Sequence, residues 1–282
     1  MTVHRTYIPQ PPLADFVDSF WLYEGYYQPH TKERRLPDGS MELVINLRDD
    51  MLRVYDRQNP HQFQSFRGGL ISGAHSQFTV LDTTSQQSII GIHFKAGGAF
   101  PFLPLPASEL HNTLLPLETL WGSTAEDLLD TLREAQTPEM KFRILEQALL
   151  SHARLPLTPH PAVAFALREF QGVPPYPQHL PTRTISDVTE QIGLSPRRFI
   201  QIFSEEVGLT PKLFCRVLRF QEALRMIGRV QQVGWANIAL TCGYFDQAHF
   251  IHDFQAFSSL NPTAYLTQRG EHPNHVPLHH GA

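Results

Sequence analysis

The chain has 282 residues, a formal net charge of −4 and 41% hydrophobic residues. That is enough for two domains with their own cores, and too apolar for a disordered chain. No apolar run approaches the roughly 20 residues that span a bilayer, and the N-terminus MTVHRTYIPQPP lacks an apolar signal core, so a cytoplasmic protein with no membrane partner is expected.

Residues 1–155 read as mainly β with a helical end. PPLADFVDSFWLYEGY opens with a short helical pattern and turns into an aromatic strand. LPDGSMELVINL sets a Pro-Asp-Gly turn before a strand-like run. MLRVYD, GGLISGAH, QFTVLDTT and SIIGIHFKAGG continue as short β-prone segments with glycine punctuation, the pattern of a small barrel or sandwich. TAEDLLDTLREA and PEMKFRILEQALLSHA then read as two amphipathic helices, starting at Thr124 and at Thr137–Pro138. HARLPLTPHP is a connector, AVAFALREF a compact helix, and GVPPYPQHLPTRT a proline-rich loop.

Two related stretches follow. In Ile185 to Phe214, Gly193 marks a turn, Ser195 is the expected N-cap with Pro196 behind it, and Phe199 and Phe203 share one helical face. In Ile238 to Leu266, Gly243, Asp246, Phe250 and Phe254 repeat the arrangement, and Phe257 extends the apolar face. Phe203 to Pro211 is the same interval as Phe254 to Pro262. The helix through LFCRVLRFQEALRMI joins the copies, so a duplicated helix-turn-helix is expected. Cys215 and Cys242 lie in helical, apolar contexts and read as buried thiols of a reducing compartment, not as a disulfide or a zinc site.

GLTP, Arg219–Phe220, Ala223, GYFDQAHF and NPTAYL together resemble the AraC/XylS DNA-binding domain over roughly Pro161 to Leu266. Ser259 stands where that family usually has the glycine seen at Gly208. LPDGSMELVINL, GIHFKAGGAFPFL and LETLWG resemble, more patchily, the cupin-like sensor domain ahead of some AraC-type regulators. The expected fold class is therefore α+β. A β-rich, cupin-like barrel or sandwich with two helices covers 1–155, an all-α domain with two helix-turn-helix motifs covers 160–269, and a disordered tail covers 270–282.

Charge divides along the same line. Residues 1–159 carry 13 Lys and Arg against 18 Asp and Glu, while residues 160–270 carry 10 against 8. Affinity for double-stranded DNA must then come from placed contacts more than from bulk charge. On the first recognition helix these are Ser195, Arg197, Arg198 and Gln201; arginine suits guanine and glutamine suits adenine. On the second they are Gln247, Ala248, His249 and His252, with Asp253 beside them expected to repel phosphate. For the β domain, Trp21, Tyr23, Phe94 and Phe102 are candidate pocket walls, and Arg35, Asp38 and His93 candidate polar groups. His75, His93 and His111 lack the spacing of a cupin metal set, so no metal and no cofactor are expected. Ser40 and Ser72 form no nucleophile elbow, and there is no phosphate-cradling loop. His272, His275, His279 and His280 of the tail have no packed element to orient them.

The reading is a non-enzymatic, one-component transcriptional regulator. The resemblance implies a small-molecule effector, a homodimer and RNA polymerase as partners, with two helices set in successive major grooves. The alternatives are a small-molecule-binding or enzymatic cupin-like protein whose helical domain no longer binds DNA, and a partner-binding adaptor.

Overall fold

Strands of alternating polarity can be satisfied on two faces at once, and the strands Val17–Glu24, Glu42–Asn46 and Ser88–Phe94 of the N-terminal domain use this. The computed structural model describes residues 3–25, 27–48, 51–171, 185–229 and 234–278. Its strands are β1 (Val3–Tyr7), β2 (Val17–Glu24), β3 (Lys32–Arg35), β4 (Glu42–Asn46), β5 (Leu52–Tyr55), β6 (Phe63–Phe66), β7 (Gly69–Ser72), β8 (Thr79–Asp82), β9 (Ser88–Phe94), β10 (Leu114–Pro116) and β11 (His275–Pro277). They form a six-stranded sheet, β1-β2-β9-β4-β7-β10, and a five-stranded sheet, β11-β3-β8-β5-β6. Every strand pairing is antiparallel.

On the six-stranded sheet, one face buries Phe20, Leu22, Leu43, Ile45, Ile71, Ile90, Ile92 and Phe94. These residues join one core with Leu128 and Leu132 of α2 (Thr124–Glu134) and Phe142 and Leu145 of α3 (Pro138–Ser151), preceded by the short α1 (Leu117–Trp121). Thr137 caps α3, accepting from the Met140 N–H, and Pro138 takes the first helical position, as the sequence implies. A smaller core, Leu52, Phe66, Leu70 and Ile89, lies between the two sheets.

The C-terminal domain comprises α4 (Pro161–Gln171), α5 (Ile185–Ile192), α6 (Pro196–Val207), α7 (Pro211–Ile227), α8 (Trp235–Thr241), α9 (Gln247–Ser258) and α10 (Pro262–Gln268). α6 lies against the 3-10 turn Ala107–Leu110 of the β domain. Gln221 on α7 donates to the Pro37 carbonyl at 2.7 Å, and Phe214 closes over Gly39. The helical domain is thus docked on the β domain through the first helix-turn-helix unit and the central helix.

The expected disorder of the tail does not hold over residues 270–278. β11 pairs with β3, Leu278 N–H donates to the Lys32 carbonyl, and Leu36 N–H donates to Asn274. Val276 is fully buried, and the Tyr265 hydroxyl donates to the Pro273 carbonyl at 2.8 Å. The sheet edge offers the tail backbone partners that the tail's own polar sequence does not announce. Residues 279–282, with His279 and His280, and the proline-rich segment 172–184 lie outside the described residues.

Candidate nucleic-acid interface and ligand cavity

In each helix-turn-helix unit the turn needs a left-handed residue, and Gly193 (φ 71°) and Gly243 (φ 77°) supply it. Ser195 then accepts from the Arg198 N–H, and Asp246 from the His249 N–H, capping α6 and α9. Spacings of four and three place Phe199 and Phe203 on α6, and Phe250, Phe254 and Phe257 on α9, in the core with almost no exposure. They continue as an aromatic ladder: Phe203 meets Phe214 at 5.7 Å, Phe254 meets Phe220 at 5.2 Å, and Phe254 meets Tyr265 at 5.5 Å between centroids. Ser259 ends α9 in the left-handed region (φ 57°), where α6 ends on Gly208 (φ 86°), so a serine holds the conformation that glycine holds in the first copy.

With the apolar faces turned inward, the polar ones are left to solvent. Ser195, Arg197, Arg198 and Gln201 are exposed along the start of α6. Arg198 donates to the Gln201 side chain, which donates to Glu205 at 2.8 Å, so the strip is a connected polar network. On α9, Gln247, Ala248 and His252 are exposed, and Phe245 just before the helix is 86% exposed. His249 is half-buried, edge-on to Tyr244. Asp253 points the other way. It is 2% exposed and accepts from Arg216 on α7 at 2.7 and 3.3 Å, a two-pronged buried ion pair linking the two helices. The expected repulsion of phosphate by Asp253 therefore does not arise from this geometry.

Between the two sheets lies a cavity of about 400 Å³. Alternation delivers its lining: Ser19, Trp21 and Tyr23 from β2, Ile89 and His93 from β9, Glu42 and Val44 from β4, Glu33 and Arg35 from β3. Trp21 faces Gly91 across the β2–β9 ladder, and a Cβ there would sit 2.3 Å from the indole ring, so the glycine makes the space the indole occupies. The polar end is a charge cluster. Arg35 lies 3.0 Å from Glu42 and 3.6 Å from Asp38, and His93 lies 3.5 Å from Glu42 and 3.9 Å from Asp38. Burial alone would push Glu42 up, but Arg35 and His93 outweigh it and hold the carboxyl at about 2. Burial likewise opposes the charged form of His93, yet its contacts with Glu42 and Asp38 raise it. Glu33 bonds His275 at 2.8 Å and His30 at 3.3 Å, and these outweigh burial to lower it. His272, Pro273, Asn274 and His275 of the tail complete the wall.

A family profile described as a helix-turn-helix domain matches residues 188–268. The C-terminal domain is a helix-turn-helix domain. A second profile, described as a domain of unknown function (DUF6597), matches residues 5–116. No curated protein matches the sequence. Among solved structures, ToxT of Vibrio cholerae O395 bound to (E)-4-(8-methylnaphthalen-1-yl)but-3-enoic acid is similar at 10% identity and a TM-score of 0.47, over 88% of this chain and 98% of that one. Unsaturated fatty acid-bound ToxT from Vibrio cholerae strain SCE256 is similar at 11% identity and a TM-score of 0.44, over 88% and 95%. Likenesses this loose bear on neither the site nor its ligand.

In the helix-turn-helix domain, seven of the eight residues proposed from sequence are exposed on α6 and α9 or cap α6, and His249 is the half-buried exception. In the β domain, Trp21, Tyr23, Arg35, Asp38 and His93 share the cavity wall. Phe94 does not: it is 1% exposed on the opposite face, because neighbours in a strand point to opposite sides and His93 takes the cavity side. Phe102 packs with Phe94 and Phe16 in that same outer core. Sequence reading missed Glu33, Glu42 and the tail residues. The parity of Glu42 with Val44 on β4 was available as a signal for one of them, and nothing local signals the others. His75 lies buried against Ser72 at 3.0 Å, and burial lowers it to about 4. Among the described residues no group of three or more His, Cys, Asp or Glu side chains is placed to hold a metal ion, and no helix is long and apolar enough to cross a membrane. Cys215 and Cys242 are free, and burial pushes their thiols up to about 11 and about 12.

Proposed function

We propose that this chain is a sequence-specific, DNA-binding transcriptional regulator of the cytoplasm, and a binder rather than an enzyme, whose N-terminal domain responds to a small-molecule effector held in the inter-sheet cavity. The observation that carries the reading is the pair of capped recognition helices, each burying its phenylalanines and leaving a polar strip outside: Arg197, Arg198 and Gln201 on one, Gln247 and His252 on the other. Arginine and glutamine on such a strip can read purine edges in a major groove. The cavity has the size of a small-molecule site and is walled partly by residues that follow the second unit. Effector binding then acts by shifting the population of DNA-competent arrangements. A homodimer and contact with RNA polymerase belong to the same reading.

The test is direct. Genome-wide mapping of the tagged protein gives its binding sequence, and a gel shift on that sequence with heparin competitor measures specific affinity over a salt series. Arg197→Ala should weaken specific binding by roughly 1–3 kcal/mol and relax the preference at one position. Binding that is neither salt-dependent nor altered by Arg197→Ala would overturn the reading.

A further inference from the structure

Two residues that line the cavity each hold a buried polar atom with nothing to bond. Trp21 Nε1, a donor, and Asn274 Oδ1, an acceptor, are buried without a hydrogen-bond partner among the described residues. Both residues line the cavity, one from the six-stranded sheet and one from the tail. Buried polar atoms of this kind are uncommon, and each is stabilised by any group that completes its bond. The charged groups beside them are different, because each already has its opposite. Arg35 is matched by Glu42 and Asp38, Glu33 by His275 and His30, and Arg53 at the rim by Asp82 at 3.7 Å. A charged ligand would have to break one of these pairs or stay uncompensated away from water. The rest of the lining is mixed: Val44, Leu52, Val54, Leu70, Ile89 and Leu114 give it apolar surface, and Thr6, Ser19, Ser72, Ser85 and Gln86 add uncharged polar groups.

We infer that the inter-sheet cavity is a composite site, closed by the C-terminal tail, for an uncharged and mainly apolar molecule bearing a group such as a hydroxyl that accepts from Trp21 and donates to Asn274. This rests on the effector-site reading above and specifies its ligand class and its mode of regulation. The ligand touches the tail, and the tail is fastened at both ends of its course. Leu36 N–H holds the Asn274 carbonyl at 2.8 Å, Leu278 N–H reaches the Lys32 carbonyl at 2.9 Å, and Tyr265 of α10 holds Pro273. A molecule bonded to Asn274 therefore strengthens the seam between the β domain and the last helix of the second helix-turn-helix unit.

The experiment uses the full chain without DNA and four probes with one body: 4-propylphenol, propylbenzene, 4-propylbenzoate and 4-propylbenzylamine. Affinity is read by calorimetric titration, and amide exchange of residues 270–278 is followed with and without the phenol. The phenol should bind at least ten-fold tighter than the other three and slow exchange in the tail several-fold. Trp21→Phe keeps an aromatic ring and removes the donor, so it should bring the phenol to within about three-fold of propylbenzene, both measured on the variant. The wild-type probe series stands on its own where that variant melts early. Tighter binding of the benzoate or the benzylamine, or binding of none of the four, overturns the ligand class. A bound phenol with unchanged tail exchange overturns the tail's part in the site. Because DNA is absent from these measurements, failure of the operator assay and failure of this inference are separate results.

Discussion

Replacing Glu206 by Gln should stabilise the protein at high pH and leave it nearly unchanged at low pH. Glu206 sits near the end of α6, only 9% exposed, where the helical domain meets the β domain. Burial pushes its carboxyl up to about 7 from an ordinary 4.5, a hydrogen bond with the His160 backbone opposes, and Glu205 adds to the rise. The sign follows from proton counting. Below the unfolded value both states are protonated and the site costs nothing. As pH rises towards the folded value the unfolded chain has released its proton while the folded one still holds it, so stability falls. Above it the whole penalty is present. At about 1.4 kcal/mol per unit, the difference between the two values sets a ceiling of about 3 kcal/mol. Solvent relaxation around the carboxylate lowers this to roughly 1–3 kcal/mol. Urea denaturation of wild type and Glu206→Gln across pH 4.5 to 8.5 checks it. Comparing the two proteins cancels His75, whose depressed value gives the opposite slope between about 4 and 6.5. Stability curves that stay parallel over the whole range would refute the reasoning.

Other expectations are equally measurable. Arg216→Ala leaves the Asp253 carboxylate buried without its partner, and should cost roughly 3–5 kcal/mol in denaturant unfolding. Phe250→Ala and Phe203→Ala should each cost roughly 3–5 kcal/mol, with DNA binding lost only as the fold is lost; retained melting temperature with lost binding would place these rings on the wrong face. Gly91→Ala drives a methyl into Trp21 and the Leu43 carbonyl, and should both destabilise the β domain and abolish ligand binding to the cavity. His252→Ala should weaken operator binding less than Arg197→Ala at pH 8, and His252→Arg should tighten it and steepen the salt dependence; equal losses would show that the second unit reads bases as strongly as the first.

What the sequence made legible was local. Caps at Ser195, Asp246 and Thr137, the turn glycines, and the phenylalanine spacing each act within one or two turns of helix, so they can be read from neighbours. Asp253 was within reach of the same rule: it lies three residues after Phe250 and four before Phe257, which is the inward face. Its charge drew attention outward, and its partner Arg216 sits on another helix. His93 and Phe94 show the same lesson in a strand, since parity forbids both from sharing a wall. β3 was not legible at all. Lys32, Glu33, Arg34 and Arg35 have no apolar alternation, yet they form a strand because β8 and β11 pair with its two edges, opposite charges match Glu33 and Arg35, and the Pro60 carbonyl accepts from Lys32. The tail's role depends on pairing between residues 242 positions apart, as His275 to Glu33, and no window along the chain contains both.

That pairing has a consequence for how the protein is made. β3 has β8 on one side and β11 on the other, and β11 begins 240 residues after β3 ends, from 35 to 275. At roughly 5–20 residues per second, the nascent chain carries β3 with one edge open for on the order of ten seconds or more. An open edge invites pairing with another chain, and a row of charged side chains resists it. The composition that hides β3 from sequence reading is thus the one that keeps the unfinished sheet from joining its neighbours on a polysome until β11 arrives.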